Sequence, residues 1–207
     1  IKEPQAAPHF ADYLGSLYDE ADSQKSPAKM GKTRMPAKAK LIVGLIAGDE
    51  RLFDDAKSAL EAIFGKADFE SPPFDFDKTE YYRDEMGGNL KKKFLSFGAL
   101  MDMKDAYRIK LDTNALEERF SKSGKRRINI DPGYLDLSKI VLFSTKDYSH
   151  RVYIGGGIFA EVALFYRDGT FNPWPWTYPD YRSEAYIGAL NSIRWIYKRD
   201  IMSGERA

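Results

Sequence analysis

Leu41 to Ala47 form an unbroken apolar run, Leu-Ile-Val-Gly-Leu-Ile-Ala, with the length and β-branched character of a buried central strand; Gly48 ends it. Beyond it Leu52, Ala56, Leu60 and Ile63 recur at helical spacing, while Asp55, Lys57 and Glu61 take the positions between them. Asp49 is placed to cap this helix and Gly65 to stop it. A strand is predicted near Ala67 to Ser71, cut off by Pro72-Pro73, and an extended stretch from Lys92 to Phe97. Ala106 to Leu111 alternates Tyr107, Ile109 and Leu111 with Arg108 and Lys110, the pattern of a half-buried strand. Asn114 and Glu117 then have capping-box spacing, ahead of a helix through Leu116 and Phe120 that closes at Gly124.

From Ile128 onward the pattern turns β-rich. Strands are predicted at Ile128 to Ile130, Lys139 to Ser144, Arg151 to Ile154 and Phe159 to Arg167, with turns at Asp131-Pro132-Gly133 and Gly155-Gly156-Gly157. A last helix takes Ser183 as its cap and repeats Tyr186, Leu190, Ile193 and Tyr197 on one face, with Ile187, Trp195 and Ile196 widening the stripe. The pattern predicts an α+β fold, a mostly antiparallel β-sheet with about three helices packed on one face of it.

The first forty residues differ in kind. Phe10, Tyr13, Leu14, Leu17 and Tyr18 mark a short amphipathic helix, and Ser23 to Lys40 is a Ser-, Pro-, Ala-, Gly- and Lys-rich linker. The expected organisation is a flexible extension over residues 1–40 and one domain over 41–207. So short a helix is marginal alone, and its stripe offers a docking element for a protein partner or for self-association.

Composition removes several classes of function. Lys and Arg number 32 against 31 Asp and Glu, so no global field draws the chain to duplex nucleic acid or an anionic membrane. No cysteine is present, which excludes disulfides, thiolate metal sites and a Cys nucleophile, and two histidines cannot build a multi-histidine metal centre. No apolar run approaches the ~20 residues of a membrane span, and the expected setting is soluble and cytoplasmic.

Five segments carry a family resemblance: Lys-Leu-Ile-Val-Gly-Leu at 40–45, Tyr-Tyr-Arg-Asp-Glu-Met-Gly at 81–87, Asn-Ile-Asp-Pro-Gly-Tyr-Leu at 129–135, Thr-Lys-Asp-Tyr-Ser-His-Arg at 145–151 and Trp-Thr-Tyr-Pro-Asp-Tyr at 176–181. They resemble the bacterial family DUF4416, a domain of unknown function, across essentially the whole globular part. The resemblance implies a compact bacterial domain and carries over no catalytic residue. Some members bear a GTP-binding label. Gly31-Lys32-Thr33 matches only the tail of a P-loop: Ser26 stands where the first Gly belongs, no strand precedes it, and Pro36 interrupts any following helix.

The candidate chemistry gathers at predicted loop ends. Lys146-Asp147-Tyr148-Ser149-His150-Arg151 places two firm cations, a carboxylate and the domain's one histidine in a turn; His150 suits general acid/base work, and Lys146 and Arg151 suit an anion. The plainer reading is a solvated hairpin whose charges pair with one another. Asp131, at a strand end before Pro-Gly, either folds onto turn amides or joins Asp147 and Glu161 as acid, base or oxygen ligands for Mg²⁺. Arg126 and Arg127 would add phosphate-binding charge. The Trp174, Trp176 and Tyr178 segment, stiffened by prolines, either stacks on a ligand or seals the core. Lys91-Lys92-Lys93 reads as a solvated edge. Together these predict a site for a small phosphate-bearing ligand, a nucleotide or nucleic-acid terminus, with Mg²⁺-dependent hydrolysis or transfer as its chemistry; the alternative is a non-catalytic interaction module recruited through the N-terminal helix.

Overall fold

The structure, a computed structural model, describes residues 31–77 and 83–204. The chain divides into two units, Ile1–Met35 and Pro36–Ala207. The amphipathic helix expected through Phe10, Tyr13, Leu14, Leu17 and Tyr18 lies outside the described residues, as do Tyr81 and Tyr82.

The second unit runs β1 (Ala39–Ala47), α1 (Arg51–Phe64), β2 (Ala67–Glu70), β3 (Phe74–Asp75), α2 (Arg83–Met86), β4 (Lys91–Met101), a 3₁₀ turn at Met103–Asp105, α3 (Ala106–Phe120), β5 (Ile128–Leu135), β6 (Lys139–Ser144), β7 (Val152–Gly155), β8 (Ile158–Arg167), β9 (Thr170–Pro173), a second 3₁₀ turn at Pro179–Arg182 and α4 (Glu184–Ser203). Every strand pairing is antiparallel, in the order β2-β4-β1-β5-β6-β8-β7, with β3 on β4 and β9 on β8. The α+β class expected from the sequence is the one observed. No helix among the described residues is long and apolar enough to cross a membrane.

Strand alternation sends the two faces of β1 into different cores. Leu41, Val43 and Leu45 pack with Phe53 and Leu60 of α1 and with Ile109 and Leu116 of α3, whereas Ile42 packs with Tyr186, Leu190 and Ile193 of α4. Helices therefore cover both faces of the sheet, not one. A central strand buried on both faces has no polar position to spare, which is why 41–47 is apolar throughout.

Further expectations need correction, among them Ile63, placed on the buried stripe of α1 and 46% exposed. Ala106–Leu111 is the first half of α3 and not a strand. Its buried positions, Ala106, Ile109, Lys110, Thr113, Leu116 and Glu117, follow the helical period, and Leu111, which completed the apparent alternation, is 43% exposed. Trp195, expected on the buried stripe of α4, is 70% exposed. Lys91-Lys92-Lys93 opens a central strand: Lys92 is buried against Asp180, while Lys91 pairs with Asp75 and Lys93 with Glu70. Finally, Asp131-Pro132-Gly133 is no chain reversal, because β5 runs straight through it, paired with β1 from Ala47↔Ile128 to Lys40↔Leu135.

That last departure shapes the molecule. β5 and β6 pair only at Gly133↔Leu142, Tyr134↔Val141 and Leu135↔Ile140. Before Gly133, β5 stays with β1, while after Leu142, β6 continues along β8 through Phe143↔Ala160 and Ser144↔Phe159. The sheet forks. Ile130 turns its backbone N–H and C=O away from β1, and Pro132, two residues on, shares that orientation. Having no N–H to give β6, Pro132 ends the ladder there. The groups of Ile130 find partners from α3 instead: its N–H donates to the Glu117 carboxylate at 2.6 Å, and its C=O accepts from Lys110 Nζ at 3.0 Å. Two helix side chains thus replace the missing strand and satisfy backbone groups that would be costly to bury unpaired.

Candidate functional site

A cleft of about 710 Å³ occupies the fork and passes through the plane of the sheet. Lys110, Asn114 and Glu117 of α3 line one end, Asn129 and Asp131 of β5 and Ser144 of β6 its sides, and Tyr178, Asp180 and Tyr181 the far end. Strand register explains the convergence. Lys92, Gly44 and Asp131 lie on neighbouring strands near one level, and Leu142↔Glu161 continues that face beyond the fork.

The charged lining is arranged in pairs. Lys92 Nζ lies 2.7 Å from Asp180 Oδ2, Lys110 Nζ 3.5 Å from Asp131 Oδ1, and Arg151 Nε 2.8 Å from Glu161 Oε2. Arg126 bridges two elements, with Nη2 2.6 Å from Glu85 Oε2 and Nη1 3.4 Å from Glu117 Oε2; Nη1 also donates to Asn129 Oδ1 at 2.9 Å. The Arg126 guanidinium holds the Glu85 carboxyl below its ordinary value. Burial pushes Glu117 the other way, above the usual carboxylate range, because nearby Lys110 and Arg126 only partly offset its desolvation. A buried carboxyl with a raised pKa, facing an ionised partner across a cleft, is the arrangement of a proton donor and acceptor.

The raised pKa has a consequence for stability. The folded state holds the Glu117 proton more tightly than the unfolded chain does, so stability is lost as pH rises from about 4.3, the ordinary glutamate value, through the raised one, and the loss is constant above it. Glu117→Gln removes that slope. Urea unfolding of both chains between pH 4 and 8 should show wild type losing stability relative to Glu117→Gln across this window; parallel curves would show that Glu117 is not perturbed.

The cleft receives six of the residues singled out from the sequence: Arg126, Asp131, Lys146, Arg151, Glu161 and Tyr178. Arg151 is the hub of its corner, donating also to Ser144 Oγ, to the Lys146 carbonyl and to Tyr178 Oη. His150 stands beside the cleft, with Nε2 2.8 Å from Glu161 Oε2 and its ring stacked on Trp176 at 6.0 Å. Asp147 is exposed away from the lining, and Arg127 turns to Asp49 at 3.5 Å. Trp174 and Trp176 stack on each other 5.2 Å apart, and Trp176 Nε1 donates to the Val162 carbonyl, so the pair packs against β8 and β9 instead of lining the cleft. No group of three or more His, Asp or Glu that could hold a metal ion occurs among the described residues, and Asp131, Asp147 and Glu161 are not gathered as a Mg²⁺ ligand set.

Glu117, Lys110, Lys92 and Tyr181 were missed as site residues. Glu117 carries a helix-cap signal in the sequence and Lys92 that of a solvated charge run; both patterns report local spacing, and neither reports a fork between strands far apart in the chain.

Residues 37–197 match the model of the family Domain of unknown function (DUF4416), and the chain belongs to that family. No curated protein and no solved structure matches it.

Proposed function

We propose that this chain binds a small polar molecule in the forked-sheet cleft and exchanges a proton with it through Glu117, with Asp131, held by Lys110 and Asn129, lining the same cleft. The observation that carries this reading is the fork itself: strands of one sheet separate by a break in their ladder, and buried polar side chains from both faces meet in the opening. A volume of about 710 Å³ falls in the range of ~300–1,000 Å³ typical of small-ligand sites. The buried charges of the lining pair with one another, and Asn114, Glu118 and Thr145, which have no side-chain partner among the described residues, are half-buried or exposed toward the opening, where a guest can reach them.

A second reading keeps the phosphate-bearing ligand expected from the sequence. Arg126, Lys146 and Arg151 come from separate segments and line one cleft, as anion recognition requires. Against it, the lining holds Lys92, Lys110, Arg126, Lys146 and Arg151 opposite Glu85, Glu117, Glu118, Asp131, Glu161 and Asp180 among the described residues, so the carboxylates outnumber the cations.

Titration calorimetry with adenosine, adenosine monophosphate, glucose and glucose 6-phosphate, each to ~10 mM, where even weak millimolar binding registers, tests the cleft directly. Asn114→Trp fills it from a half-buried position on α3, and Ser121→Trp, at the residue that caps the end of the same helix, is a second blocker. Binding is expected in wild type and lost in whichever blocked variant retains the wild-type circular dichroism spectrum. Binding that survives both blocks sinks the reading.

A further inference from the structure

Two sets of groups stand out in the cleft. Lys92, Lys110, Arg126 and Arg151 each have a carboxylate within ion-pair distance, and the backbone of Ile130 is already satisfied. The second set is neutral. Tyr181 is 3% exposed, lines the cleft, and makes no hydrogen bond through its hydroxyl among the described residues. Asn114 and Thr145 line the same space, and their side chains likewise have no partner among the described residues. The side-chain atoms sealed away without a partner among the described residues are Trp174 Nε1, Tyr186 Oη and Asn191 Oδ1; the Tyr181 hydroxyl is not one of them, so it opens onto the cleft, where a guest's hydroxyl can take the place of solvent as its partner.

Tyr181 is not there by loose packing. Its ring carries Lys92 Nζ at 4.1 Å, and it meets Phe94 and Tyr186 edge-on at 5.7 and 6.1 Å. Gly44 on β1 leaves the room above it: a Cβ at that position would stand 3.5 Å from Tyr181 Oη and 3.3 Å from Lys92 Cε. Burial keeps the phenol protonated far above neutral pH, so its hydroxyl both donates and accepts.

Resting on the cleft being the ligand site, we infer that its ligand carries an uncharged, hydroxyl-rich ring, the sugar of a saccharide or of a nucleoside, recognised by the Tyr181 hydroxyl at the far end, with Asn114 and Thr145 lining the space into which the rest of the molecule extends. The chemistry favours this class on three grounds. A phosphate would have to compete with carboxylates already seated on Arg126 and Arg151, and it would face Glu118, which makes no ion pair among the described residues. Hydroxyls, by contrast, donate to carboxylates such as Asp131 without breaking their ion pairs, and accept from an amide or a phenol. The exposed rings of Tyr148 and Tyr178 give the mouth of the cleft flat apolar faces for the C–H face of a sugar or for a base.

Two matched pairs of probes separate the possibilities: adenosine against adenosine monophosphate, and glucose against glucose 6-phosphate, titrated into the full chain, Tyr181→Phe, Gly44→Ala and Asn114→Trp. The uncharged member of at least one pair should bind as tightly as its phosphorylated partner or more so. Tyr181→Phe should weaken it about five- to tenfold, one neutral hydrogen bond, and Gly44→Ala, whose Cβ would press on Lys92 Cε at 3.3 Å and only touch the hydroxyl at 3.5 Å, should weaken it less. The pair that responds identifies the source as saccharide or nucleoside. A phosphorylated member that binds tenfold tighter, and is lost in Asn114→Trp, overturns the ligand class while the cleft stands. Unchanged affinity in Tyr181→Phe, or no binding by either uncharged probe, overturns it as well. Binding that survives Asn114→Trp removes the cleft along with it.

Discussion

Lys40→Met should destabilise the protein by about 3–5 kcal/mol, the cost of breaking a buried ion pair by removing one partner. Lys40 is 0% exposed, and its Nζ lies 2.7 Å from Asp68 Oδ2, 2.5 Å from Asp200 Oδ2 and 3.2 Å from the Phe97 carbonyl oxygen. Asp68 precedes the end of β2 and Asp200 sits in the last turns of α4, so a single ammonium ties the first strand to an edge strand and to the C-terminal helix. Ser96 Oγ adds a bond to the second oxygen of Asp68 at 2.6 Å. Methionine matches the lysine stem in length but abandons two carboxylates that have little access to water. A loss of that size lowers Tm by roughly 10 °C or more in a domain of this length. Adding Asp68→Asn and Asp200→Asn should recover part of the loss, because the uncompensated charges then disappear. A Lys40→Met chain melting within 2 °C of wild type, on the order of the shift from half a kcal/mol, would show that this cluster is not a stabilising tie.

Gly133→Ala should have the second large effect, and a more local one. A Cβ at Gly133 would stand 2.3 Å from the Val141 carbonyl oxygen and 3.0 Å from Leu142 Cδ2. The first of these is backbone, which cannot rotate aside, so the strands must part at the rung nearest the fork. Only three rungs join β5 to β6, and losing one brings the two halves of the sheet close to separation. Overpacking costs about 1–3 kcal/mol, and the backbone obstacle here puts this substitution toward the upper end. Hydrogen exchange should locate the damage: faster exchange at Tyr134 and Leu135 and along β6, with the β1–β4 ladder protected as before. Uniform loss of protection across the whole sheet would contradict the view that the fork is bounded by this residue.

Much of the framework was legible in the sequence, and the reasons are local. β1, β6 and β8 are short apolar runs, α1 and α4 have clear 3.6-residue periods, and Ser183 caps α4 by accepting from the Tyr186 N–H as its position suggests. The first half of α3 was misread because Tyr107, Ile109 and Leu111 imitate a period of two across three residues, while the helical period needs Thr113 and Leu116 to be seen. Pro132-Gly133 illustrates a signal understood in kind and misplaced in consequence. The missing N–H and the missing side chain do interrupt a ladder, as turn residues do, but the interruption opens the sheet sideways and leaves the chain running straight. The sequence singles out Asp131 as an acid at a strand end before a Pro-Gly turn, and it lines the cleft from within β5, while Glu117 and Lys110, which reach the same place from a helix, carry no sequence sign of it. Lys92 was hidden by its neighbours, since Lys91 and Lys93 alternate to the other face and pair at the surface.

The same logic places Arg151 and His150. Adjacent residues diverge, so Arg151 turns inward to Glu161 and Tyr178 while His150 lies at the rim against Trp176, and both meet the one carboxylate from different sides. Arg151→Met should therefore weaken ligand binding by disordering Tyr178, and His150→Ala should leave it nearly unchanged; calorimetry with the tighter of the probes above distinguishes them, and an equal loss in both would put His150 in the site after all.

The amide of Ile130 offers the most direct measurement. Its N–H points into the fork at Glu117, in place of a bond to β6, so it reports on the cleft and on little else. Titration of ¹⁵N-labelled protein with adenosine, glucose and their two phosphorylated counterparts should move the Ile130, Asn114 and Tyr181 amide signals together and saturably for at least one of the uncharged probes, with β2 and the exposed face of α4 unmoved. Saturable shifts confined to some other surface, or none at all for any of the four probes, would mean that the opening between β5 and β6 is a feature of packing and not a place where a ligand binds.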